Sequence, residues 1–297
     1  MEFPRIPIGD WVASGIDWLT INGDWFFDFL KILMSFLVDG LSDVLIAVPW
    51  FVMVVLLALA GWVLRSARFA ILSLVGFLLI NAMNQWDNAM LTLSMVLIAT
   101  LLAVIVAIPL GILAAQSDKV SAAVKPVLDF MQTMPAFVYL IPAVTFFSIG
   151  VVPGLFSTII FALPPGVRMT ELGIRGVAEE TVEAGHAFGA KRSEILFGIQ
   201  LPLAVPTIMA GINQVIMLAL SMAVIAGIVG ADGLGKEVVS SIATLNLAKG
   251  VEAGLSVVFL AIFLDRFTGA LGDKKARNKS SLMALTKKAR SKTVTAA

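Results

Sequence analysis

The sequence predicts an all-α, polytopic membrane protein. Hydrophobic residues make up 59% of the 297, charged residues only 14%, and the mean hydropathy is +0.97, whereas soluble domains run near about 25% charged. Apolar runs approaching the roughly 20 residues of an upright crossing recur near 44–64, 69–84, 89–115, 127–149, 154–167, 203–230 and 252–271. That makes about seven transmembrane helices, the second and fifth of them short. There is no cysteine, which excludes disulfides, thiol chemistry and Cys-bound metal. The single histidine, His186, falls in a charged segment and reads as a solvated loop residue, so no metal site is expected.

Ahead of the first span lies an N-terminal segment, residues 1–43. Residues 1–45 carry seven acids against Arg5 and Lys31. The segment lacks the basic start of a cleavable signal and is expected to stay on the mature protein. Asp24, Asp28, Lys31, Ser35, Asp39 and Asp43 recur every three or four residues, with Trp25, Phe26, Phe29, Leu30, Leu33, Phe36 and Leu37 between them. One polar stripe on an apolar helix suits the membrane interface, where Trp11, Trp18 and Trp25 are also at home. A helix packed on the spans with its stripe to water fits equally well.

The membrane domain, residues 44–272, is almost free of ionisable groups at its span centres. Asp129, Glu252, Asp265 and Arg266 all sit near span ends. The fourth span holds the most unusual cluster: Gln132, Thr133, Phe137 and Tyr139 (the only tyrosine), with Pro135 and Pro142 interrupting the helix. Asn213 and Gln214 are its polar counterparts in the sixth span. Polar residues inside spans face protein or a water-filled path, so these six are the candidate solute path. Hydrogen bonds between helices are the other reading. Gly230, Gly233 and Gly235 then open the segment between the sixth and seventh spans as a mobile turn, either a gate or partner contact or a plain connector.

An odd number of crossings puts the two ends on opposite sides, and the Lys/Arg bias orients the chain. With the C-terminus inside, 17 basic residues face the cytoplasm and four (Arg5, Lys31, Lys236 and Lys249) face out. Eight of the inner ones belong to the basic tail, residues 273–297. N-out, C-in places the 168–202 loop in the cytoplasm.

That loop contains Glu183-Ala184-Gly185, then Gly189, then Ile199, Leu201 and Pro202. Val177, Thr181, Ala184 and Phe188 form a narrow apolar stripe on a predicted helix over 177–188, flanked by Glu179, Glu180 and Glu183. Gly189 suits a left-handed helix stop, and Pro202 suits the first turn of the next helix. Small residues at 184, 185 and 187 let another backbone come close. This spacing resembles the EAA-type coupling loop of ABC-importer permeases, with Gly185 where those loops usually have Ala.

More widely, Asp129-Phe-Met-Gln-Thr-Met-Pro-Ala-Phe-Val-Tyr-Leu-Ile-Pro142, Phe161-Ala-Leu-Pro-Pro165, Gln200–Gly211 and Leu218–Ala226 resemble the permease subunit of glycine betaine/proline betaine importers over about residues 85–272. The resemblance implies an ABC-importer permease fold in a bacterial inner membrane. It implies a homodimer, separate cytoplasmic ATPase subunits and an extracytoplasmic substrate-binding protein, contacts with membrane lipids, and no nucleic acid. The imported solute is then glycine betaine or a related quaternary ammonium compound, with choline, carnitine or an amino acid as other cargo. No Gly-x4-Gly-Lys-Ser/Thr phosphate loop occurs in the chain. No cofactor is therefore expected here, and ATP with Mg belongs to the partner ATPase. A secondary carrier or channel remains the alternative reading, although no mid-span carboxylate for ion coupling is present.

Overall fold

The structure, a computed structural model, describes residues 6–272; the expected basic tail lies outside them. Helices and short turns account for the described residues, with no strand among them. Two apolar runs read as single crossings are broken. The first is two helices, α1 (Ile8–Asn22) aside: α2 (Asp24–Ala47) and α3 (Trp50–Leu64), bent by 105° at the break. Pro49 forces this, because it pushes Val48 into extended backbone and cannot continue the hydrogen-bond ladder. The expected boundary at 43/44 therefore falls inside α2.

Met34, Val38 and Ser42 are buried, and Val38 carbonyl accepts from Ser94 Oγ at 2.8 Å, so one face of α2 packs on the bundle. Phe27 stacks on Phe146 with ring centroids 4.3 Å apart. The Asp stripe stays exposed, while Trp25, Phe29, Ile32 and Phe36 form a second, unburied apolar flank. α1 buries no residue at all.

α4 (Ala67–Ala82) is capped by Ser66 Oγ, which accepts from Phe69 N–H. It is shorter than a full crossing. α5 (Trp86–Gln116) runs 31 residues. The expected span 127–149 is the second broken one: α6 (Asp118–Thr133) and α7 (Ala136–Phe147) meet at 98°. Met134 precedes Pro135 and is extended, for the same steric reason. α8 (Val151–Arg175) outruns the expected 154–167, because Arg168, Glu171 and Arg175 continue the helix into the ion pairs described below. The inner loop proper thus starts at Gly176 rather than at 168.

Four helical stretches are long and apolar enough to cross a membrane: α5, α8, Arg192–Val229, and the last helix Leu247–Gly272; the two bent pairs bring the total to six. With the 16-residue α4, these helices of the described residues correspond to the seven apolar runs of the sequence. α8 lies at the centre, between α5 and the helix that begins after the inner loop. Small residues allow that proximity: a Cβ on Gly166 would sit 2.8 Å from Ala107 Cβ on α5.

Candidate coupling site and solute path

α9 (Glu179–Ala187) is shorter than the predicted 177–188 and buries no residue. Glu179 and Glu180 occupy its first turn, where carboxylates meet the free N–H groups of a helix start. It ends in a Schellman cap: Gly189 N–H donates to His186 carbonyl at 2.9 Å and Ala190 N–H to Gly185 carbonyl at 3.1 Å. This geometry puts Gly189 at φ 79°, a region a Cβ makes costly.

The helix has two unlike sides. Val182 and Gly185 are half-buried against the protein. A Cβ on Gly185 would lie 3.0 Å from Ile199 Cδ1 and 3.2 Å from Ile195 Cγ1. Two members of the sequence motif, Gly185 and Ile199, are thereby drawn together, while Leu201 packs with Ile174, Leu196 and Ala204. Thr181, Glu183, Ala184 and Phe188 face away, with Phe188 92% exposed. Of the small residues expected to admit another backbone, Ala184 and Ala187 are free to do so, and Gly185 is occupied by the chain itself. Its neighbours are flexible side-chain ends, so Gly185→Ala should change stability by less than about 0.5 kcal/mol, measured as the midpoint of thermal unfolding in detergent.

Pro202 falls in the first turn of α11 (Leu201–Ala226), as its sequence suggested, but the chain is already helical ahead of it. The helix starts ten residues earlier, as α10 (Arg192–Ile195), where Glu194 Oε2 accepts from Lys191 N–H at 2.7 Å. It passes through a π-turn, Leu196–Gln200, into α11 (Leu201–Ala226). Leu201 N–H reaches back five residues to Leu196 carbonyl. The wider turn makes room for the Pro202 ring and its missing donor, which would break a regular α-helix there.

The six candidate path residues separate into two groups. Gln132, Thr133 and Gln214 are exposed on the bundle, as is Phe137 at 55%. Tyr139 is only 7% exposed; its hydroxyl donates to Met131 carbonyl across the α6–α7 break, and its ring meets Phe161 edge-on at 6.0 Å. Asn213 also turns inward, donating to Asp265 Oδ1 at 2.8 Å and accepting from Thr268 Oγ1 at 2.7 Å. These last two bonds join α11 to α13 (Leu247–Gly272), so Asn213 makes the interhelical contacts of its second reading.

The glycine-rich segment is closely packed. α11 ends in a short 3₁₀ turn, Gly227–Val229, and the chain turns back into α12 (Leu234–Ala243). Cβ atoms would fall 2.3 Å from Gly235 carbonyl carbon on Gly227 and 2.5 Å from Ala223 carbonyl oxygen on Gly235. Leu234 N–H is satisfied by Thr92 Oγ1 of α5 at 2.9 Å. Backbone against backbone leaves no slack there.

Residues 107–277 match the family of binding-protein-dependent transport system inner membrane components. The chain belongs to that family. This permease is 46% identical over 274 residues to the glycine betaine transport system permease protein OpuAB of Bacillus subtilis (strain 168), covering 92% of this chain and 97% of the relative. It is 43% identical over 273 residues to the glycine betaine/proline betaine transport system permease protein ProW of Escherichia coli (strain K12), covering 92% and 77%. Among solved structures, inward-facing MetNI methionine ABC transporter matches with a TM-score of 0.58 at 19% identity, over 63% of this chain and 93% of that one. That likeness concerns the fold, which is the ABC-importer permease fold in a multi-pass inner-membrane protein.

The sequence did not single out Glu171, which lies in the C-terminal turns of α8. Its side chain is 9% exposed and accepts from Ser121 Oγ at 2.7 Å, with Arg175 Nε at 3.1 Å and Lys125 Nζ at 3.5 Å. The spacing of Glu171 and Arg175, one helical turn apart, was the available signal. It went unused because the fifth span was ended at 167.

Proposed function

We propose that this permease takes up glycine betaine or a related quaternary ammonium compatible solute, driven by a separate ATPase. The carrying observation is α9, a capped helix held to its own chain on one side only, with Thr181, Glu183, Ala184 and Phe188 left for a partner. On this reading Glu183, Ala184, Gly185, Gly189, Ile199, Leu201 and Pro202 form the ATPase-coupling element, part in contact and part as its support. The functional unit is a homodimer with two cytoplasmic ATPase subunits, which hold the ATP and Mg, and an outer substrate-binding protein. The chain performs no catalysis of its own and binds no nucleic acid. It sits N-out and C-in among membrane lipids: 1–43 outside and interfacial, 44–272 in the membrane, and 273–297 in the cytoplasm.

A quaternary ammonium group offers no N–H donor and cannot shed its charge, so aromatic faces suit it best. Exposed Phe137 is then the aromatic contact, beside Gln132, Thr133 and Gln214, while Tyr139 and Asn213 hold the helices that present them. Relatives named for glycine betaine support this cargo, and one in Listeria monocytogenes serotype 1/2a (strain 10403S) is named for glycine betaine and carnitine. Uptake of labelled glycine betaine by the full complex in proteoliposomes is the test. Saturable uptake should require both the ATPase and the binding protein, and Phe137→Ala should lower it several-fold. Uptake without the ATPase would indicate a carrier or channel instead. Saturable methionine uptake with betaine inert would show the cargo to be wrong.

A further inference from the structure

Charged groups cross from α6 to α8 as an antiparallel ladder. Asp118 pairs with Arg175 at 2.7 Å, Lys125 and Ser121 meet Glu171, and Asp129 pairs with Arg168. The end rungs use exposed carboxylates, and such pairs contribute little. The middle rung differs because Glu171 is buried and has three partners at once. A charge taken out of water stays ionised only when its partners compensate for lost hydration, so this carboxylate binds its neighbours into one unit. Arg175 extends the unit to a third helix, donating to Ala114 carbonyl on α5 at 2.8 Å.

The place of this unit in the chain matters more than its strength. Arg175 is the last residue of α8, and only Gly176, Val177 and Ala178 separate it from α9. In the other direction α6 runs to the Met134–Pro135 break and the start of α7, where Gln132, Thr133 and Phe137 are exposed. Glu171 is therefore the buried link between the helix that leads to the coupling element and the helix that leads to the candidate path.

We infer that Glu171 is a positioning residue that transmits movement of α9 to α6 and α7, so that ATP hydrolysis and solute passage occur together. This rests on the reading of α9 as the ATPase contact. A neutral side chain at 171 can still accept from Ser121, but it no longer gathers Lys125 and Arg175. α8 can then move without carrying α6.

The test is Glu171→Gln in the full complex with ATPase and binding protein, reconstituted in proteoliposomes. The quantity read is solute molecules imported per ATP hydrolysed. Hydrolysis should persist while that ratio falls about tenfold, within the range usual for coupling between two sites. Glu171→Asp, which keeps the charge, should recover part of the ratio. A wild-type ratio in Glu171→Gln, or uptake and hydrolysis falling in proportion, overturns the inference. If Glu171→Gln does not fold, Arg175→Lys decides: it keeps a cation while losing the fork to Asp118 and Ala114, and an unchanged ratio overturns the inference equally. Glu183→Arg separates the two claims. If it leaves hydrolysis and coupling normal, the α9 reading fails; if it abolishes them while Glu171→Gln has no effect, only the Glu171 inference fails.

Discussion

Gly189→Val should abolish transport-coupled ATP hydrolysis while leaving the membrane bundle folded. Gly189 sits at φ 79° as the left-handed residue of the Schellman cap on α9. A β-branched side chain there costs about 1–2 kcal/mol. The cap is what α9 has at its C-terminal end, and the helix has no buried residue to compensate. Unwinding it releases Phe188 and the last turn, the side turned toward a partner. A loss of about 1–2 kcal/mol from a docked geometry corresponds to about five- to thirtyfold in its population. The measurement is hydrolysis by the reconstituted complex with and without binding protein and solute, beside a thermal unfolding curve. A folded Gly189→Val permease with normal stimulation would remove the coupling assignment.

Gly235→Val should instead destabilise the fold itself. The added Cβ would stand 2.5 Å from Ala223 carbonyl oxygen and 2.7 Å from that of Val224. Both are backbone atoms of α11 and cannot swing aside as the ends of Ile195 and Ile199 can at Gly185. Overpacking of this kind costs about 1–3 kcal/mol or more, and α12 must leave its seat against α11 and α5. The bond from Leu234 N–H to Thr92 is lost with it. Little monodisperse protein in detergent, or an unfolding midpoint lowered by several degrees, is expected. An unchanged midpoint would show that the turn opens easily, as a mobile gate does.

The two glycines show how legibility varied within one class of residue. Gly189 was readable because its role is local: a short helix, a stop and a φ that only glycine adopts cheaply. Gly235 was read only as part of a mobile turn, because nothing near it in the chain records that α11 and α12 press backbone to backbone. Pro202 was readable in part: its missing N–H placed it in the first turn of α11, but nothing in the sequence showed the five-residue π-turn that leads into it. The C-terminal limit of α8 was missed where Arg168, Glu171 and Arg175 ended the apolar run but not the helix. Ion pairs with Asp118, Lys125 and Asp129, some 40 to 60 residues away, keep those turns helical.

By itself the sequence determined the all-helical membrane fold, the apolar runs, and the family, because hydropathy, proline and motif spacing act over a few turns of chain. The breaks at Pro49 and Pro135 were also written there, although the run lengths hid them. Only the tertiary structure decided which polar side chains turn inward. Tyr139 and Asn213 were grouped with Gln132, Thr133, Phe137 and Gln214 on composition, yet the first two are spent on Met131, Asp265 and Thr268. Direction around a helix depends on which neighbour offers a partner, and partners 52 or 55 residues away leave no periodic trace. Glu171 is the same case in reverse: an ordinary carboxylate in sequence, made central by the three helices that close around it.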